Sequence, residues 1–187
     1  MTAETLFLTV PGLASSGPNH WQTKWEQKNP SQFKRVEQDN WDWPVKHDWV
    51  NKLQEEVEKL SKPTILVAHS LGCLTVVNWA MQFSSPYIVG ALLVAPADAE
   101  ISKRLTFVVG FHEIPQEKLP FPSVVVASSN DRYASISRSE KFAKDWGSQF
   151  INLGKQGHIN AVSGLGDWEE GQFILETIVQ GVMAGVK

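Results

Sequence analysis

The chain has 187 residues, of which 42% are hydrophobic and 20% charged, and its formal net charge is −3. These values are typical of one soluble globular domain with a sizeable core, and they argue against a nucleic-acid partner. The N-terminal stretch lacks the basic start of a secretion signal, and no apolar run approaches the ~20 residues that a membrane span needs. Because Cys73 is the single cysteine, an intrachain disulfide is excluded, and we expect a cytoplasmic protein without a membrane partner.

Short apolar runs alternate with amphipathic runs along the chain. The pattern predicts six strands, at residues 5–10, 33–37, 64–69, 88–95, 123–127 and 150–153. It predicts one helix that begins near residues 18–21, and further helices over 50–60, 71–81, 136–146 and 169–183. Residues 96–120 have no long periodic pattern, so we expect an excursion over the sheet edge with one short helix. The alternation predicts an α/β fold, a parallel sheet covered by helices on both faces, in one domain spanning residues 1–187.

The third predicted strand ends abruptly at Ser70, and a helical pattern follows directly. A serine at such a strand-to-helix corner has a strained backbone, and its hydroxyl projects from the C-terminal edge of the sheet. Ala68 and Gly72 are small enough to let the strand and the helix approach each other there, although the motif is A-x-S-x-G rather than the usual G-x-S-x-G. This pattern predicts a nucleophile at Ser70. The alternative is that Ser70 only caps the following helix.

Two further residues with catalytic chemistry follow later strands. Asp131 comes after the fifth strand and His158 after the sixth, and in a parallel sheet these loops meet Ser70 at one edge. The order Ser, Asp, His is that of the α/β-hydrolases, in which an imidazole accepts the serine proton and a carboxylate fixes its tautomer. We therefore predict a catalytic triad of Ser70, Asp131 and His158. Two alternatives remain: Asp98, after the fourth strand, as the carboxylate, and Asp131 as a helix cap.

The predicted chemistry also needs an oxyanion hole and a substrate pocket. Backbone N–H groups of Leu71, next to the corner, and Leu13, in the small-residue loop after the first strand, are the predicted oxyanion donors. Trp21, Trp41 and Trp43 flank the first two loops, and we predict that one or two of them wall an acyl pocket. The sequence contains no complete zinc motif, so we expect neither a metal nor a cofactor.

Four short motifs, spread over nearly the whole chain, are considered together. They are Pro11-Gly12-Leu13 with Ser16-Gly17-Pro18 and His20-Trp21, Ala68-His69-Ser70-Leu71-Gly72, Ser129-Asn130-Asp131, and Gly157-His158-Ile159-Asn160-Ala161 with Gly164. This set resembles the retinoblastoma-binding-protein-like serine hydrolases, particularly their bacterial branch. The resemblance implies a minimal, lidless α/β-hydrolase with about six mainly parallel strands in the order 2-1-3-4-5-6. It also implies the triad Ser70, Asp131 and His158 and esterase-like activity on small acyl esters.

One property of that family is not expected to transfer. Its best-known animal member was linked to the retinoblastoma protein through an L-x-C-x-E motif, whereas this chain reads Leu71-Gly72-Cys73-Leu74-Thr75 and ends in Thr. We expect a serine carboxylesterase that uses an acyl-enzyme, takes a small-molecule ester and, having no lid, prefers short acyl chains. A non-catalytic binding protein on the same fold, or an acyltransferase or amidase with the same triad, remains open. The natural substrate and the oligomeric state are not predicted.

Overall fold

Six strands form one sheet in the order β2-β1-β3-β4-β5-β6 in the structure, a computed structural model that describes residues 5–185. The strands are β1 (Leu6–Val10), β2 (Phe33–Arg35), β3 (Thr64–His69), β4 (Ile88–Val94), β5 (Ser123–Ala127) and β6 (Gln149–Asn152). The helices are α1 (Trp21–Lys28), α2 (Lys46–Val57), α3 (Leu71–Gln82), α4 (Ile136–Trp146) and α5 (Glu169–Gly185), with one 3₁₀ turn at Ala161–Ser163. Every neighbouring pair of strands is parallel, which confirms the predicted fold and strand order. The predicted domain, residues 1–187, extends past the described residues at both ends.

Helices cover both faces of the sheet, as the continuous apolar character of the central strands requires. Along β3, Leu66 and Ala68 pack in the core shared with α2, α3 and α4, while Ile65 and Val67 pack in the core shared with α1 and α5. This alternation is the period of two that a strand imposes on its side chains. Within residues 5–185, none of the helices has the length and apolar character to cross a bilayer.

The segment between β4 and β5 differs from its prediction. The expected short helix in this segment is wrong, because the described chain there runs through successive turns, in which Ser102 N–H donates to the Asp98 carbonyl and Leu105 N–H to the Ser102 carbonyl. Prolines further along the segment restrict helix formation. Eight of its apolar side chains are nevertheless buried in the core with α2, α3 and α4: Ala97, Ala99, Leu105, Val108, Phe111, Ile114, Leu119 and Phe121. The segment therefore closes that face of the sheet without regular structure of its own.

Candidate active site

Ser70 occupies the corner between β3 and α3. Its backbone has φ 56° and ψ −121°, a region that residues other than glycine rarely adopt, and its side chain makes no capping bond to α3. The capping alternative is therefore not supported. Gly72 accounts for the sharpness of the corner, because a Cβ added there would lie 2.1 Å from the Val10 carbonyl oxygen. Helix α3 can start this close to the end of β1 only because position 72 has no side chain.

The structure brings Ser70, His158 and Asp131 together in one hydrogen-bonded chain. His158 Nε2 lies 2.8 Å from Ser70 Oγ, and His158 Nδ1 lies 2.7 Å from Asp131 Oδ2. A carboxylate on Nδ1 selects the tautomer with its proton there, so Nε2 is left to accept the serine proton. The second oxygen of Asp131 accepts the backbone N–H of Tyr133 at 2.8 Å, which fixes the carboxylate. This arrangement can deprotonate a serine hydroxyl.

Backbone contacts hold the turn that presents His158. Gly157, directly before it, has φ +60°, and its N–H donates to Asn130 Oδ1 at 2.7 Å. On the other side, the His158 carbonyl accepts from Nε2 of His69 at 2.9 Å. The loops after β3, β5 and β6 are thus tied together around the imidazole.

Asp98, the alternative carboxylate, has a different partner. Arg138 binds it with both arms of the guanidinium, Nε to Oδ2 at 2.6 Å and Nη2 to Oδ1 at 3.1 Å. Asp98 also raises the pKa of Arg138, with Glu100 adding to the effect. The alternative role of Asp131 as a helix cap is not supported either, because Ser135 occupies the cap position of α4 and accepts the Arg138 N–H.

The two predicted oxyanion donors lie on adjoining pieces of backbone. A Cβ added to Gly12 would lie 2.8 Å from Ser70 Cβ and 3.1 Å from Leu71 N, so the loop after β1 packs directly against the corner. Leu13 lines the cavity that contains Ser70. Leu71 is the first residue of α3, where a backbone N–H has no partner within the helix.

A cavity of about 260 Å³ opens at Ser70, which we call the serine cavity. Leu105 and Tyr133 provide apolar surface in its wall, and the Tyr133 ring lies 4.4 Å from the His158 ring, centroid to centroid. Neither residue was predicted from the sequence. Leu105 lies in the segment without a periodic pattern, whereas the position of Tyr133, two residues after Asp131, is a signal that could have identified it.

The three tryptophans predicted as pocket walls do not line the serine cavity, and this part of the prediction is corrected. Trp21 is buried in the core shared with α1 and α5, where its ring lies 4.9 Å from that of Trp168, centroid to centroid. Its indole N–H donates to the Ile159 carbonyl at 2.9 Å and so supports the histidine turn. The Trp41 carbonyl accepts the N–H of Ala14 at 3.0 Å in the first loop.

The third of these tryptophans, Trp43, points away from the serine cavity. Its side chain is 66% exposed and packs edge-on against Phe107. A polar loop flanked by aromatic residues predicts proximity to the site, but the direction of each side chain depends on packing with distant segments.

Two further histidines, His20 and His69, line the serine cavity and pack in a row with His158. Burial, together with the smaller effects of the charges of Arg35 and His158, lowers the pKa of His20 to about 3. Burial, with the neighbouring histidines, also lowers the pKa of His69 well below its usual value. Both rings are therefore neutral beside the triad at neutral pH. Among residues 5–185, no three or more His, Cys, Asp or Glu side chains are grouped so that they could hold a metal ion.

The chain is similar to known proteins over most of its length. The model of a family described as "Serine hydrolase" matches residues 7–177. A solved structure of a hydrolase from Pectobacterium atrosepticum, described as YdeN-like, is 32% identical, covers 96% of this chain and 92% of its own, and has a TM-score of 0.85.

Two more distant structures share the fold. The YdeN gene product of B. subtilis is 20% identical over 95% of this chain and 99% of its own, with a TM-score of 0.78. Mouse alpha/beta hydrolase domain-containing protein 10 is 13% identical over 100% of this chain and 93% of its own, with a TM-score of 0.72. No curated protein sequence matches the chain.

Proposed function

The chain belongs to the serine hydrolase family, within the α/β-hydrolase superfamily, and we propose that it is a carboxylesterase that cleaves small acyl esters through an acyl-enzyme. The observation that carries the proposal is the hydrogen-bonded chain from Ser70 through His158 to Asp131, built on a strained corner. A serine hydroxyl is a weak nucleophile by itself, and an adjacent neutral imidazole supplies the base that it needs.

The proposed reaction proceeds in two halves. Ser70 Oγ attacks the acyl carbon while His158 Nε2 accepts its proton, and the carbonyl oxygen becomes an oxyanion. The bond to the alcohol oxygen then breaks, and His158 gives the proton to that oxygen, which leaves as an alcohol. Water attacks the acyl-enzyme by the same route, and the products are a carboxylic acid and the free serine. Asp131 stabilises the imidazolium in each half.

The backbone donors contribute to stabilising the oxyanion. In this proposal the N–H groups of Leu13 and Leu71 bind the oxygen as its charge develops, and each such donor is worth about 10²–10³-fold in rate. The close approach of Gly12 to the corner supports their convergence on one point.

The size of the serine cavity supports short acyl groups. Its volume of about 260 Å³ is small for a ligand site, since ligand pockets commonly range over ~300–1,000 Å³. We expect kcat/KM for 4-nitrophenyl acetate and butyrate to exceed that for the decanoate. Equal values across the series would contradict the proposed preference, and turnover of the matching 4-nitroanilides would favour an amidase.

Ser70→Ala tests the proposed function. The variant is expected to lose about 10⁴-fold or more of kcat on 4-nitrophenyl acetate, because the nucleophile is removed. Ser84→Ala, at an exposed position outside the serine cavity, is the matched control and should retain the native rate. Native activity in Ser70→Ala would exclude Ser70 as the nucleophile. A folded native chain without activity on any ester would favour the binding-protein alternative.

A further inference from the structure

A second cavity, of about 500 Å³, opens on the other side of the catalytic histidine. It lies between the loop after β5 and the loop after β6, and we call it the cationic pocket. Tyr133, His158 and Asn160 line both this pocket and the serine cavity, so the two spaces adjoin at the imidazole. A molecule bound at Ser70 can therefore extend into the cationic pocket past His158.

The charged groups of this pocket all have one sign. Arg132 and Lys155 line it, both side chains are exposed, and neither forms an ion pair with another residue of the described chain. No Asp or Glu is among its lining residues. The nearby Asp131 is 4% exposed at its side chain, and both its oxygens are used by His158 and the Tyr133 N–H.

Two other arginines provide a contrast. Arg138 is held by Asp98 and Glu100, and Arg35 by Glu26. Arg132 and Lys155 have no such carboxylate partner among the described residues, and both line one cavity in a chain whose net charge is −3. Such a cavity favours an anion, which gains two charge-assisted contacts and displaces only water.

A neutral donor adds to the two cations. The side-chain oxygen of Asn160 accepts the Val162 N–H at 3.1 Å, so the amide NH₂ group is the part that remains for a ligand. Because Asn160 also lines the serine cavity, this donor lies at the junction between the two spaces.

The chemistry of the triad indicates which end of the substrate enters this pocket. His158 gives its proton to the leaving oxygen, so the alcohol portion of an ester must lie against His158. Leu13, the predicted oxyanion donor, lines the serine cavity but not the cationic pocket. We infer that the alcohol portion of the substrate carries a negatively charged group, a carboxylate or a phosphate, which binds Arg132 and Lys155. This inference rests on the proposed esterase function and adds the class of its substrate.

Acetyl esters of phenols that carry either a charged or a neutral para substituent provide the probes. The acetyl ester of 4-hydroxybenzoate and 4-acetoxyphenyl phosphate carry an anion on the leaving group, and methyl 4-acetoxybenzoate is the neutral counterpart. The quantity to measure is the ratio of kcat/KM for each anionic ester to that for the neutral ester. The larger of the two ratios identifies the preferred anion. Monophenyl succinate and its methyl ester place the charge on the acyl side instead.

The double variant Arg132→Gln/Lys155→Gln tests the pocket. In this variant we expect the kcat/KM ratio to fall roughly 3- to 10-fold for at least one anion, because two solvent-accessible ion pairs with the substrate are lost. In the native chain the same ratio should fall as the ionic strength rises, because salt screens these charges. The neutral ester should change less than about twofold, and the succinate ratio should not change, because the acyl side lies elsewhere. Lys118→Gln/Lys144→Gln removes two exposed cations outside the pocket and should leave every ratio as in the native chain.

The outcomes separate this inference from the proposed function. Unchanged ratios for both anions in the double variant, with the neutral ester still hydrolysed, would overturn the anionic-substrate inference and leave the esterase proposal intact. If the chain hydrolyses no ester, the affinities of the esters for the Ser70→Ala variant test the anionic-substrate inference instead. The anionic esters should then still bind more tightly than the neutral one, and the added Arg132→Gln/Lys155→Gln changes should abolish the difference. Equal binding of charged and neutral esters would overturn the inference in that case.

Discussion

The loops after β4 and β5 begin alike and have different roles. Each carries an aspartate close to the C-terminal end of a strand, Asp98 after β4 and Asp131 after β5, and the two strands are neighbours in the sheet. Asp131 binds the imidazole of His158, whereas Asp98 binds the guanidinium of Arg138. The position of a carboxylate at the sheet edge therefore does not determine its role. The role depends on the cation or ring that another segment brings to it.

The largest expected effect comes from neutralising Asp131, the carboxylate of the proposed triad. We expect Asp131→Asn to lower kcat on 4-nitrophenyl acetate by about 10⁴-fold, because an amide no longer selects the imidazole tautomer that accepts the serine proton. The melting temperature should change little, since Asn keeps the shape. Asp98→Asn, measured beside it, should retain most of the native kcat. A similar loss of kcat in both variants would contradict the separation of roles.

The second prediction concerns the free energy of unfolding, which Asp98→Asn should lower more than Asp131→Asn does. Asp98 is 1% exposed at its side chain, and Asp98→Asn leaves Arg138 with Glu100 as its remaining carboxylate. We expect the free energy of unfolding to fall by about 2 kcal/mol, as for the loss of a partly buried, charge-assisted pair. Urea unfolding curves of the native chain and of both Asn variants measure it. A greater loss at Asp131 than at Asp98 would be the opposite of this expectation.

His20 and His69 lie in a row beside His158, but unlike His158 they have no carboxylate partner among residues 5–185. The pKa of His20 is lowered from 6.5 to about 3 in the folded chain, so below pH 6.5 the unfolded state binds a proton that the folded state does not. The stability that His20 contributes is therefore complete above pH 6.5 and is lost as the pH falls toward about 3, by up to ~1.4 kcal/mol per pH unit.

The variant His20→Asn isolates this effect, since Asn can still accept the Gln22 N–H at the start of α1. The stability of the native chain relative to His20→Asn should decline as the pH is lowered from 6.5 to 4.5, as measured by urea unfolding at each pH. A difference that does not vary with pH would show that His20 is not held neutral by the fold.

The smallest expected effect concerns the aromatic ring beside His158. Tyr133→Ala should lower kcat/KM on 4-nitrophenyl acetate by roughly tenfold, because the imidazole loses a packing partner that helps to orient it. Tyr133→Phe keeps the ring and should stay within about twofold of the native value. Trp43→Ala removes an exposed aromatic side chain outside the serine cavity and should have no effect. A larger loss of kcat/KM in Trp43→Ala than in Tyr133→Ala would instead support the prediction from sequence that Trp43 lines the acyl pocket.

The catalytic candidates could be predicted because each lies in the segment that follows a strand. The sheet topology determines where strand ends meet, so Ser70, Asp131 and His158 share one edge whatever the details of packing. The choice between Asp98 and Asp131 could not be settled from spacing alone. Arg138, which binds Asp98, lies 40 positions further along the chain, and no local pattern links the two.

The residues that line the cavities could not be predicted from the hydrophobic periodicity of the sequence. Leu105 enters the serine cavity from a segment whose apolar residues follow neither the helical nor the strand period, so the sequence pattern carries no sign of it. The direction of Trp21 depends on its contact with Trp168, which comes from the far end of the chain. Local patterns thus predicted the edge of the sheet, while tertiary packing determined what surrounds it.

The most direct test of the central claim is the intact mass of the chain after treatment with a fluorophosphonate, native beside Ser70→Ala. The claim is that Ser70 is an activated nucleophile with His158 as its base. We predict one covalent adduct on the native chain and none on Ser70→Ala, with labelling of Asp131→Asn greatly slowed. A folded native chain that takes up no reagent, or an adduct that persists in Ser70→Ala, would contradict the claim.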